Sequence, residues 1–371
     1  MRICHLTSVH PRGDSRIFIK MCRSLAAHGH AVTLVVADGK GDEILDGVAI
    51  RDAGASRGRV DRIRRAPRRL FDIAAPMNAD IYHLHDPELL PVGVRLARLG
   101  KRVIFDSHED VPKQLLDKPY LNKPLLRVIS RMFAIYEKRA CRRFAGVIAA
   151  TPSIREKFLR INPTTVDINN FPLLDELVSE APWTNKRLEV CYVGGIVKVR
   201  GVGEVVQAMG KVTSGVRLNL AGQFDERDLE VAIKADAGWG KVNELGFLGR
   251  QQVRDVLGRS MAGLVTLHPV ANLIDALPIK MFEYMSASIP VIASNFPLWR
   301  EIVGDNQCGL LVDPLDPGAI ARAIDYLVTH PDEARRMGEN GRKAVIERYN
   351  WPVQEKKLLA FYERLAGVSP G

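Results

Sequence analysis

Short apolar runs alternate with helical patterns along the first half of the chain. Amphipathic periods favour helices at 17–28 and 125–143, between runs whose length and β-branched content favour strands. The predicted strands cover 2–9, 31–37, 81–85, 102–106 and 146–150. Strands and helices that alternate in this way predict an α/β fold with a parallel sheet.

A second series of strand-like runs follows in the other half. These runs cover 189–193, 217–221, 243–245, 263–267, 290–294 and 309–312. Between the two series, the stretch 169–182 has no strong period, and its two prolines favour a hinge. We place the boundary near Phe171, which predicts one domain at 1–171 and another at 172–351. A last helical pattern, 353–366, lies in the C-terminal segment 352–371.

Composition favours a globular protein of the cytoplasm. The chain has 371 residues, of which 46% are hydrophobic, and this is enough for sizeable cores. It has no apolar run near the length of a membrane span, and no signal-peptide pattern at its start. The five cysteines are scattered without a C-x-x-C pair, so a disulfide framework or a structural zinc site is disfavoured.

Positive charge is concentrated in the first half. Residues 1–170 carry 30 Lys and Arg against 18 Asp and Glu, which leaves 23 basic and 25 acidic residues for the rest. Arginines crowd 57–69, and a second basic stretch covers 113–143, both with aliphatic side chains among the charges. An anionic bilayer surface, nucleic acid and a merely solvated basic face are the alternatives. No nucleic-acid module signature is present, and the mixed aliphatics favour a lipid interface.

One short unit near residue 280 combines two acids, a lysine and a helix start. Pro278 suits the first position of a helix, so we expect a helix to begin near Leu277. Lys280 and Glu283 would share one face of that helix, and Asp275 precedes it. Free N–H groups at a helix start suit a diphosphate, and carboxylates suit vicinal hydroxyls. The unit therefore predicts a sugar-nucleotide site, with a solvated helix face as the alternative.

Each predicted domain forms one lobe of the protein. The turns after the first strand of each lobe lack the G-x-G-x-x-G pattern, which disfavours a nicotinamide dehydrogenase. In the second lobe, Gly194 and Gly195 follow the strand, and Arg200 precedes Gly201. Gly195 lets the backbone come close to a ligand, and the guanidinium of Arg200 can offer a forked donor to a diphosphate. An ordinary tight turn between strand and helix is the alternative.

Histidines stand at two strand ends of the first lobe. His85 and His108 should open onto the carboxyl edge of the sheet, where ligands bind in such folds. A metal site built from the nearby His, Asp and Glu residues is possible. Their two-residue spacing on strands and the lack of a cysteine partner make it a minor alternative, so we predict no metal.

These motifs resemble those of the retaining glycosyltransferases of family 4. Asp275 and Glu283 match the acid-x7-acid signature of that family, with Asp275 where a glutamate is usual. In the donor-phosphate loop, Gly194 and Gly201 keep the frame, Arg200 takes the position of a lysine, and Gly195 replaces an arginine. The resemblance runs from residue 1 to about residue 366. It implies the GT-B architecture, two doubly wound, Rossmann-like parallel-sheet lobes facing across a cleft, with the C-terminal segment crossing back to the first lobe.

The resemblance implies a donor site in the second lobe and an acceptor site in the first. Glu283 would bind ribose hydroxyls, Asp275 a sugar hydroxyl, and Arg200 the diphosphate, with Lys198 or Lys280 making up the missing charge. His108 would orient the transferred sugar. The implied catalytic residues are His108, Asp275 and Arg200, and the implied donor-binding residues are Gly194, Gly195, Lys198, Arg200, Leu277, Lys280 and Glu283. The implied acceptor side consists of Arg12, Gly13, Asp14, Arg16 and His85.

The implied activity is retaining, metal-independent transfer of a hexosyl group from a nucleotide diphosphate sugar to a hydroxyl of a lipid-linked glycan. It would serve the synthesis of lipopolysaccharide, capsule or exopolysaccharide, without a cofactor, in the cytoplasm or on the cytoplasmic face of the membrane. Two alternatives stay open. One is a sugar-nucleotide epimerase of the same fold, which would convert donor without an acceptor. The other is a non-catalytic sugar-binding assembly subunit, motivated by the departures at Asp275 and Gly195.

Overall fold

The computed structural model describes residues 1–116, 122–178 and 182–367. Its contacts divide the chain into two units: unit 1 is Met1–Asn170 with Gln354–Gly371, and unit 2 is Phe171–Val353. Parts of three predicted segments lie outside the described residues: 117–121 of the second basic stretch, 179–181 of the hinge and 368–371 of the C-terminal segment. The chain passes into unit 2 after Asn170 and returns to unit 1 at Gln354.

The strands of unit 1 form one sheet of eight. They are β1 (Arg2–Leu6), β2 (Ala31–Val36), β3 (Glu43–Leu45), β4 (Val48–Asp52), β5 (Ile81–Leu84), β6 (Arg102–Ser107), β7 (Gly146–Ala149) and β8 (Thr165–Asp167). Their order in the sheet is β3-β4-β2-β1-β5-β6-β7-β8. All neighbours are parallel except β3 and β4, which are antiparallel.

The hairpin of β3 and β4 was missed by the sequence analysis. Its turn is Asp46–Gly47, both with left-handed backbone at φ 48° and 77°. Such Asp-Gly pairs favour the two-residue hairpin turn whose twist matches that of the strands. All three residues of β3 are exposed at the edge of the sheet, so no alternation of apolar and polar residues marks it.

Helices connect the strands of unit 1. The predicted helix at 17–28 is a π-helix, Ser15–Cys22, followed by α1 (Arg23–Ala27). The others are α2 (Gly58–Arg64), α3 (Ala66–Ala74), α4 (Leu90–Arg98), α5 (Val111–Leu116), α6 (Lys123–Cys141) and α7 (Pro152–Leu159). Across the described residues of both units, no helix has the length and apolar content needed to cross a bilayer.

Unit 2 contains a six-stranded, fully parallel sheet. Its strands are β9 (Glu189–Val193), β10 (Arg217–Ala221), β11 (Val242–Gly246), β12 (Ala262–Val265), β13 (Val291–Ser294) and β14 (Gly309–Val312). Their order is β11-β10-β9-β12-β13-β14. Its helices are α8 (Val202–Lys211), α9 (Arg227–Lys234), α10 (Arg250–Arg259), α11 (Ile279–Ser286), α12 (Pro297–Trp299), α13 (Pro317–Thr329) and α14 (Pro331–Glu347), and α15 (Trp351–Ala366) leads back to unit 1.

Each unit is built around its sheet. In unit 2, Val190 and Tyr192 pack in one apolar cluster, and Cys191 between them packs in another. Because successive side chains of a strand point to opposite faces, the sheet is covered on both sides. The core of unit 1 likewise joins strand residues such as Leu6 and Phe105 to its helices. The predicted α/β fold with two parallel-sheet, Rossmann-like lobes is confirmed.

Candidate functional site

Helix α11 carries Lys280 and Glu283, and it begins later than predicted. Pro278 is the N-cap, with extended backbone at φ −67° and ψ 122°, and Ile279 is the first helical residue. The expected start near Leu277, with Pro278 as the first helical position, is therefore wrong. The proline ring fixes φ alone, and a φ of about −65° suits helical and extended backbone equally. Leu277 instead packs its side chain on the core of unit 2.

Lys280 is a buried lysine whose amine lacks an acceptor. The residue is 8% exposed, and its Nζ lies 3.6 Å from the centroid of the Tyr192 ring. Among the described residues this Nζ has no hydrogen-bond partner. Burial and the nearby charge of Arg200 hold the pKa of Lys280 well below its usual range. A buried amine without acceptors is costly unless a ligand supplies them, so the position suits an anionic group.

The glycine turn after β9 brings Lys280 and Arg200 together. A Cβ built on Gly194 would lie 3.0 Å from Nζ of Lys280 and 3.8 Å from Nη1 of Arg200. Nη1 of Arg200 also donates to the carbonyl of Gly195 at 3.1 Å. Lys198, the other lysine considered as a replacement cation, is exposed on the short turn Lys198–Arg200. Arg200, Lys280 and the turn therefore form one site within unit 2, lined by nitrogen donors that suit an anion.

Glu283 stands on the same helix and is held by an arginine. It is 6% exposed, and its Oε1 accepts from Nη1 of Arg250 at 2.9 Å. Arg250 also donates through Nε and Nη2 to both carboxylate oxygens of Glu176, at 2.6 and 2.7 Å. Asp275 is half-buried in the turn that precedes the helix. The carboxylate of Glu283 is thus fixed in position before any ligand binds.

Arg250 was not among the predicted residues. It lies 33 residues from Glu283 along the chain, so no local spacing connects the two. One signal could have found it, because Arg250 begins the helix that follows the carboxyl end of β11. Ligands of open parallel sheets bind at that edge.

In unit 1, Asp106 gathers three of the predicted side chains. Arg16 donates to both of its oxygens, through Nε at 2.9 Å and Nη2 at 2.7 Å. Nε2 of His108 and Nδ1 of His85 lie 2.9 and 3.2 Å from the same Oδ2. Burial opposes ionisation of Asp106, but the charge of Arg16 and the His108 contact hold its pKa well below the usual range. The structure therefore brings His108, His85 and Arg16 to one carboxylate.

The other residues of the predicted acceptor loop, Arg12, Gly13 and Asp14, make their contacts within unit 1. Arg12 donates to both oxygens of Asp38, at 2.8 and 2.7 Å, and to Glu43 at 2.6 Å. Asp14 accepts from the backbone N–H groups of Arg16 and Ile17, and so caps the π-helix. A Cβ on Gly13 would meet open space. The guanidinium of Arg12 is thus engaged by carboxylates of its own unit.

Two groups of described residues offer three metal-ligating atoms each: His5, His83 and His85, and His85, Asp106 and His108. In the first group, the ring of His85 is nearly parallel to the rings of His5 and His83, at interplanar angles of 13° and 28°. Nδ1 of His5 and Nε2 of His85 lie 2.9 Å apart and share a hydrogen bond, and Nδ1 of His83 lies 2.7 Å from the hydroxyl of Tyr362, so these nitrogens already have partners. In the second, Arg16 already occupies both oxygens of Asp106. Both groups therefore fit hydrogen-bond networks better than a metal site.

Comparisons with known proteins give the family to which the two units belong. A family model described as "Glycosyl transferases group 1" matches residues 175–344. A second, described as "Glycosyltransferase Family 4", matches residues 11–168. Together the two models match most of the chain, one in each unit.

Curated relatives include two mannosyltransferases. The chain is 21% identical to the MMP alpha-(1->4)-mannosyltransferase of Mycolicibacterium hassiacum over 79% of this chain and 72% of that protein. It is 23% identical to the phosphatidyl-myo-inositol mannosyltransferase of Mycolicibacterium smegmatis, over 99% of this chain and 94% of that protein.

Solved structures share the whole fold. Sucrose-phosphate synthase of Thermosynechococcus elongatus superposes with a TM-score of 0.80 at 20% identity, over 99% of this chain and 100% of that one. HepE of Anabaena, solved with UDP-glucose, superposes with a TM-score of 0.74 at 15% identity, also over 99% and 100%. The chain therefore belongs to the group 1 glycosyltransferases of the family 4 type, enzymes that transfer sugars, and it has their GT-B fold.

Proposed function

We propose that the protein transfers a hexosyl group from a nucleoside diphosphate sugar to a hydroxyl of a glycan, with retention of configuration and without a metal. The observation that carries this proposal is the amine of Lys280, which has no hydrogen-bond partner among the described residues and is buried beside Arg200 and the Gly194–Gly195 turn. Two cationic side chains at a turn of this kind suit an anion with several oxygens. A diphosphate offers such oxygens to both side chains at once.

The same site suits the chemistry of the leaving group. As the bond between sugar and phosphate breaks, negative charge grows on the diphosphate, and fixed positive groups stabilise this charge without reorganising. Arg200 and Lys280 supply that stabilisation in the proposal, so a divalent cation is not needed. The HepE structure solved with UDP-glucose supports a nucleotide sugar as donor, because it shares the fold.

The two ends of the donor meet different side chains. Glu283, held by Arg250, accepts hydrogen bonds from ribose hydroxyls. Asp275 accepts a hydrogen bond from a hydroxyl of the sugar, and His108, fixed by Asp106, orients that sugar. Retention follows the same-face course implied by family 4, in which the leaving phosphate deprotonates the incoming hydroxyl. None of these side chains is then required as a covalent nucleophile.

Slow release of nucleoside diphosphate from a panel of nucleotide sugars tests this function. We expect the parent protein to release product from one donor, equally well with and without EDTA. Arg200→Ala should lower kcat about 100-fold or more and change donor KM less, because the charge that Arg200 meets is largest in the transition state. Arg322→Ala, which removes an exposed arginine of unit 2, is the matched control and should be fully active.

Four outcomes would contradict the proposal in whole or in part. Loss of activity in EDTA would refute the metal-free reaction. Conversion of the donor to an isomer, with no acceptor present, would identify an epimerase. Tight binding of a nucleotide sugar with neither release nor transfer would identify a non-catalytic binding subunit. An inverted anomeric centre in the product would refute retention alone.

We propose further that the acceptor glycan is lipid-linked, in the synthesis of a surface polysaccharide, and that unit 1 docks on an anionic bilayer. Helix α6 supports this through a stripe of exposed apolar side chains at helical spacing. The apolar stripe of α6 consists of Leu125, Val128, Ile129, Met132, Ile135 and Tyr136, each at least 36% exposed. Its exposed basic neighbours on the helix are Lys123, Arg127, Arg131, Lys138 and Arg139.

The arginine run at 57–69 is less free than its sequence indicates. Arg69 donates to the carbonyls of Ala53 and Gly54 and pairs with Asp61. Leu70, one of the aliphatic residues next to these arginines, is fully buried in the core of unit 1. The proposal therefore assigns the apolar contact with lipid to α6, and only a supporting electrostatic part to the exposed arginines of the run.

Vesicle co-sedimentation tests the docking surface. We expect binding to vesicles that contain phosphatidylglycerol and little binding to pure phosphatidylcholine. The double change Arg127→Ser and Arg131→Ser should weaken binding about 30-fold at low salt, since each basic residue contributes about 1 kcal/mol. The double change Val128→Ser and Met132→Ser should remove the part that persists at high salt.

The control for docking is Arg322→Ser with Arg335→Ser, which removes the same charge from the surface of unit 2. This control should bind like the parent. Equal binding of the parent to neutral and anionic vesicles would refute the electrostatic part. If neither α6 variant changes the binding, the stripe is not the docking surface.

A further inference from the structure

Two histidines at one edge of the unit 1 sheet are each held by a buried aspartate. His108 follows β6 and pairs with Asp106, and His10 follows β1 and pairs with Asp86. Strands β1, β5 and β6 are neighbours in the sheet, so their carboxyl ends lie together. The centroids of the two imidazole rings are 5.0 Å apart, with their planes at 58°.

Asp86 fixes which nitrogen of His10 is free. Asp86 is 2% exposed, and its Oδ1 lies 2.9 Å from Nδ1 of His10. Its Oδ2 accepts from the backbone N–H of Ser8 at 2.6 Å and from the hydroxyl of Thr7 at 2.8 Å. Nδ1 of His10 therefore carries the proton that Asp86 accepts. Nε2 has no hydrogen-bond partner in the described part of the chain, and it keeps a lone pair for a ligand.

His108 is held in the complementary way. Its Nε2 donates to Asp106 at 2.9 Å, which leaves Nδ1 as the acceptor. The side chains of His10 and His108 are 28% and 21% exposed, so both remain accessible. Two adjacent acceptors of this kind match two hydroxyls on neighbouring carbons of one sugar ring.

We propose that His10 is a further substrate-binding residue, whose Nε2 accepts a hydrogen bond from the hydroxyl next to the one that His108 meets on the transferred sugar. This inference rests on the proposed function, because it takes His108 as a contact of that sugar. Asp86 is a positioning residue, since it acts on the sugar only through the tautomer and orientation of His10. The pair would select donors by the configuration of these two hydroxyls.

Acid should remove this contact, because an imidazolium has no lone pair to accept with. Burial opposes the charge, but the hydrogen bond and negative charge of Asp86 raise the pKa of His10 above its usual value. The charged and titratable groups that face His10 are Asp14, Asp86, Glu88, Asp106 and His108. Sugar binding should therefore weaken as the pH falls through this raised pKa. Asp86→Asn should move that loss to lower pH.

The test pairs His10 with the hydroxyl it would meet. The probes are the nucleotide sugar that the parent protein turns over and a set of its monodeoxy analogues, each lacking one sugar hydroxyl. We expect His10→Ala to lower kcat/KM about 10-fold for the full donor. For one deoxy analogue, the parent should lose about the same factor, and His10→Ala should lose nothing more. His28→Ala is the matched control, because His28 is exposed and its Nδ1 hydrogen-bonds the carbonyl of Ser24 in the helix before it.

Each outcome decides the inference. It is overturned if His10→Ala turns over every analogue with the same relative loss as the parent, or if Asp86→Asn leaves the acid limb of kcat/KM in place. Binding of inorganic pyrophosphate reports on the unit 2 site and should be unchanged in His10→Ala and Asp86→Asn, and the far-UV circular dichroism of both variants should match that of the parent, which shows that unit 1 folds. A parent protein that turns over no nucleotide sugar refutes the proposed function itself, and this inference with it.

Discussion

Replacing Lys280 by methionine should weaken the binding of inorganic pyrophosphate about 10-fold to 100-fold. The change keeps the apolar length of the side chain over Tyr192 and removes the buried amine, which has no partner among the described residues. A hydrogen bond to a charged group contributes about 1.5–3 kcal/mol, which sets this range. Isothermal calorimetry with pyrophosphate measures the effect without any assumption about base or sugar.

The contribution of Lys280 to pyrophosphate affinity should decrease as the pH rises. Its pKa is well below the usual range in the free protein, because of burial and Arg200, and a bound anion raises it. Binding then takes up a proton. The difference in affinity between the parent and Lys280→Met is largest at low pH and disappears as the pH rises through the pKa of the bound state.

A second substitution should restore what the first removes. Gly195 occupies the position where the family has an arginine, and it is not among the glycines with left-handed backbone, so it can accept a side chain. A Cβ there would lie 3.0 Å from Nη1 of Arg200, at the movable end of that side chain. We therefore expect Gly195→Arg to recover most of the pyrophosphate affinity in the Lys280→Met protein.

The control for this rescue is Gly240→Arg in the Lys280→Met protein. A Cβ on Gly240 meets open space, so the change adds the same charge away from the glycine turn. It should restore nothing. If both arginines restore binding equally, the effect is one of overall charge, and the exchange of Lys280 for the missing arginine is refuted.

The fold could be predicted from the sequence because the signals for most of its strands are local. Runs such as 189–193 and 309–312 are strands with the predicted bounds, since short runs rich in apolar residues favour strands. Three-residue strands such as β3 and β8 escaped because so short a run has no period. Pro278 misled the prediction of the helix start because proline constrains only one of the two backbone angles.

The site was predictable only as a set of residue types. The sequence shows that Gly195 lacks a cation, and it offers Lys198 and Lys280 equally as replacements. The choice depends on the fold, because α11 and the turn after β9 come together only when their strands pair in the sheet. The same holds for Arg250 with Glu283 and for His10 with Asp86, which are 33 and 76 residues apart in the sequence.

The second large effect is expected at Glu283. Glu283→Ala should weaken the binding of a nucleoside diphosphate about 30-fold to 100-fold, because it removes a charged acceptor for ribose hydroxyls that is itself only 6% exposed. The same variant should bind inorganic pyrophosphate as the parent does, since pyrophosphate has no ribose. Lys280→Met, in contrast, should weaken both ligands. The pair of variants thus separates the nucleoside end of the site from its phosphate end.

Arg250→Met extends this test to the residue that holds Glu283. Without the guanidinium of Arg250, Glu283 loses the 2.9 Å hydrogen bond that fixes its carboxylate. We therefore expect nucleoside diphosphate affinity to fall about 10-fold, which is less than in Glu283→Ala. When Arg250→Met is added to Glu283→Ala, it should weaken nucleoside diphosphate binding no further, because Arg250 acts on ribose only through Glu283. Equal loss of pyrophosphate and nucleoside diphosphate in Glu283→Ala would show instead that Glu283 acts through the charge of Lys280, and the ribose contact would be refuted.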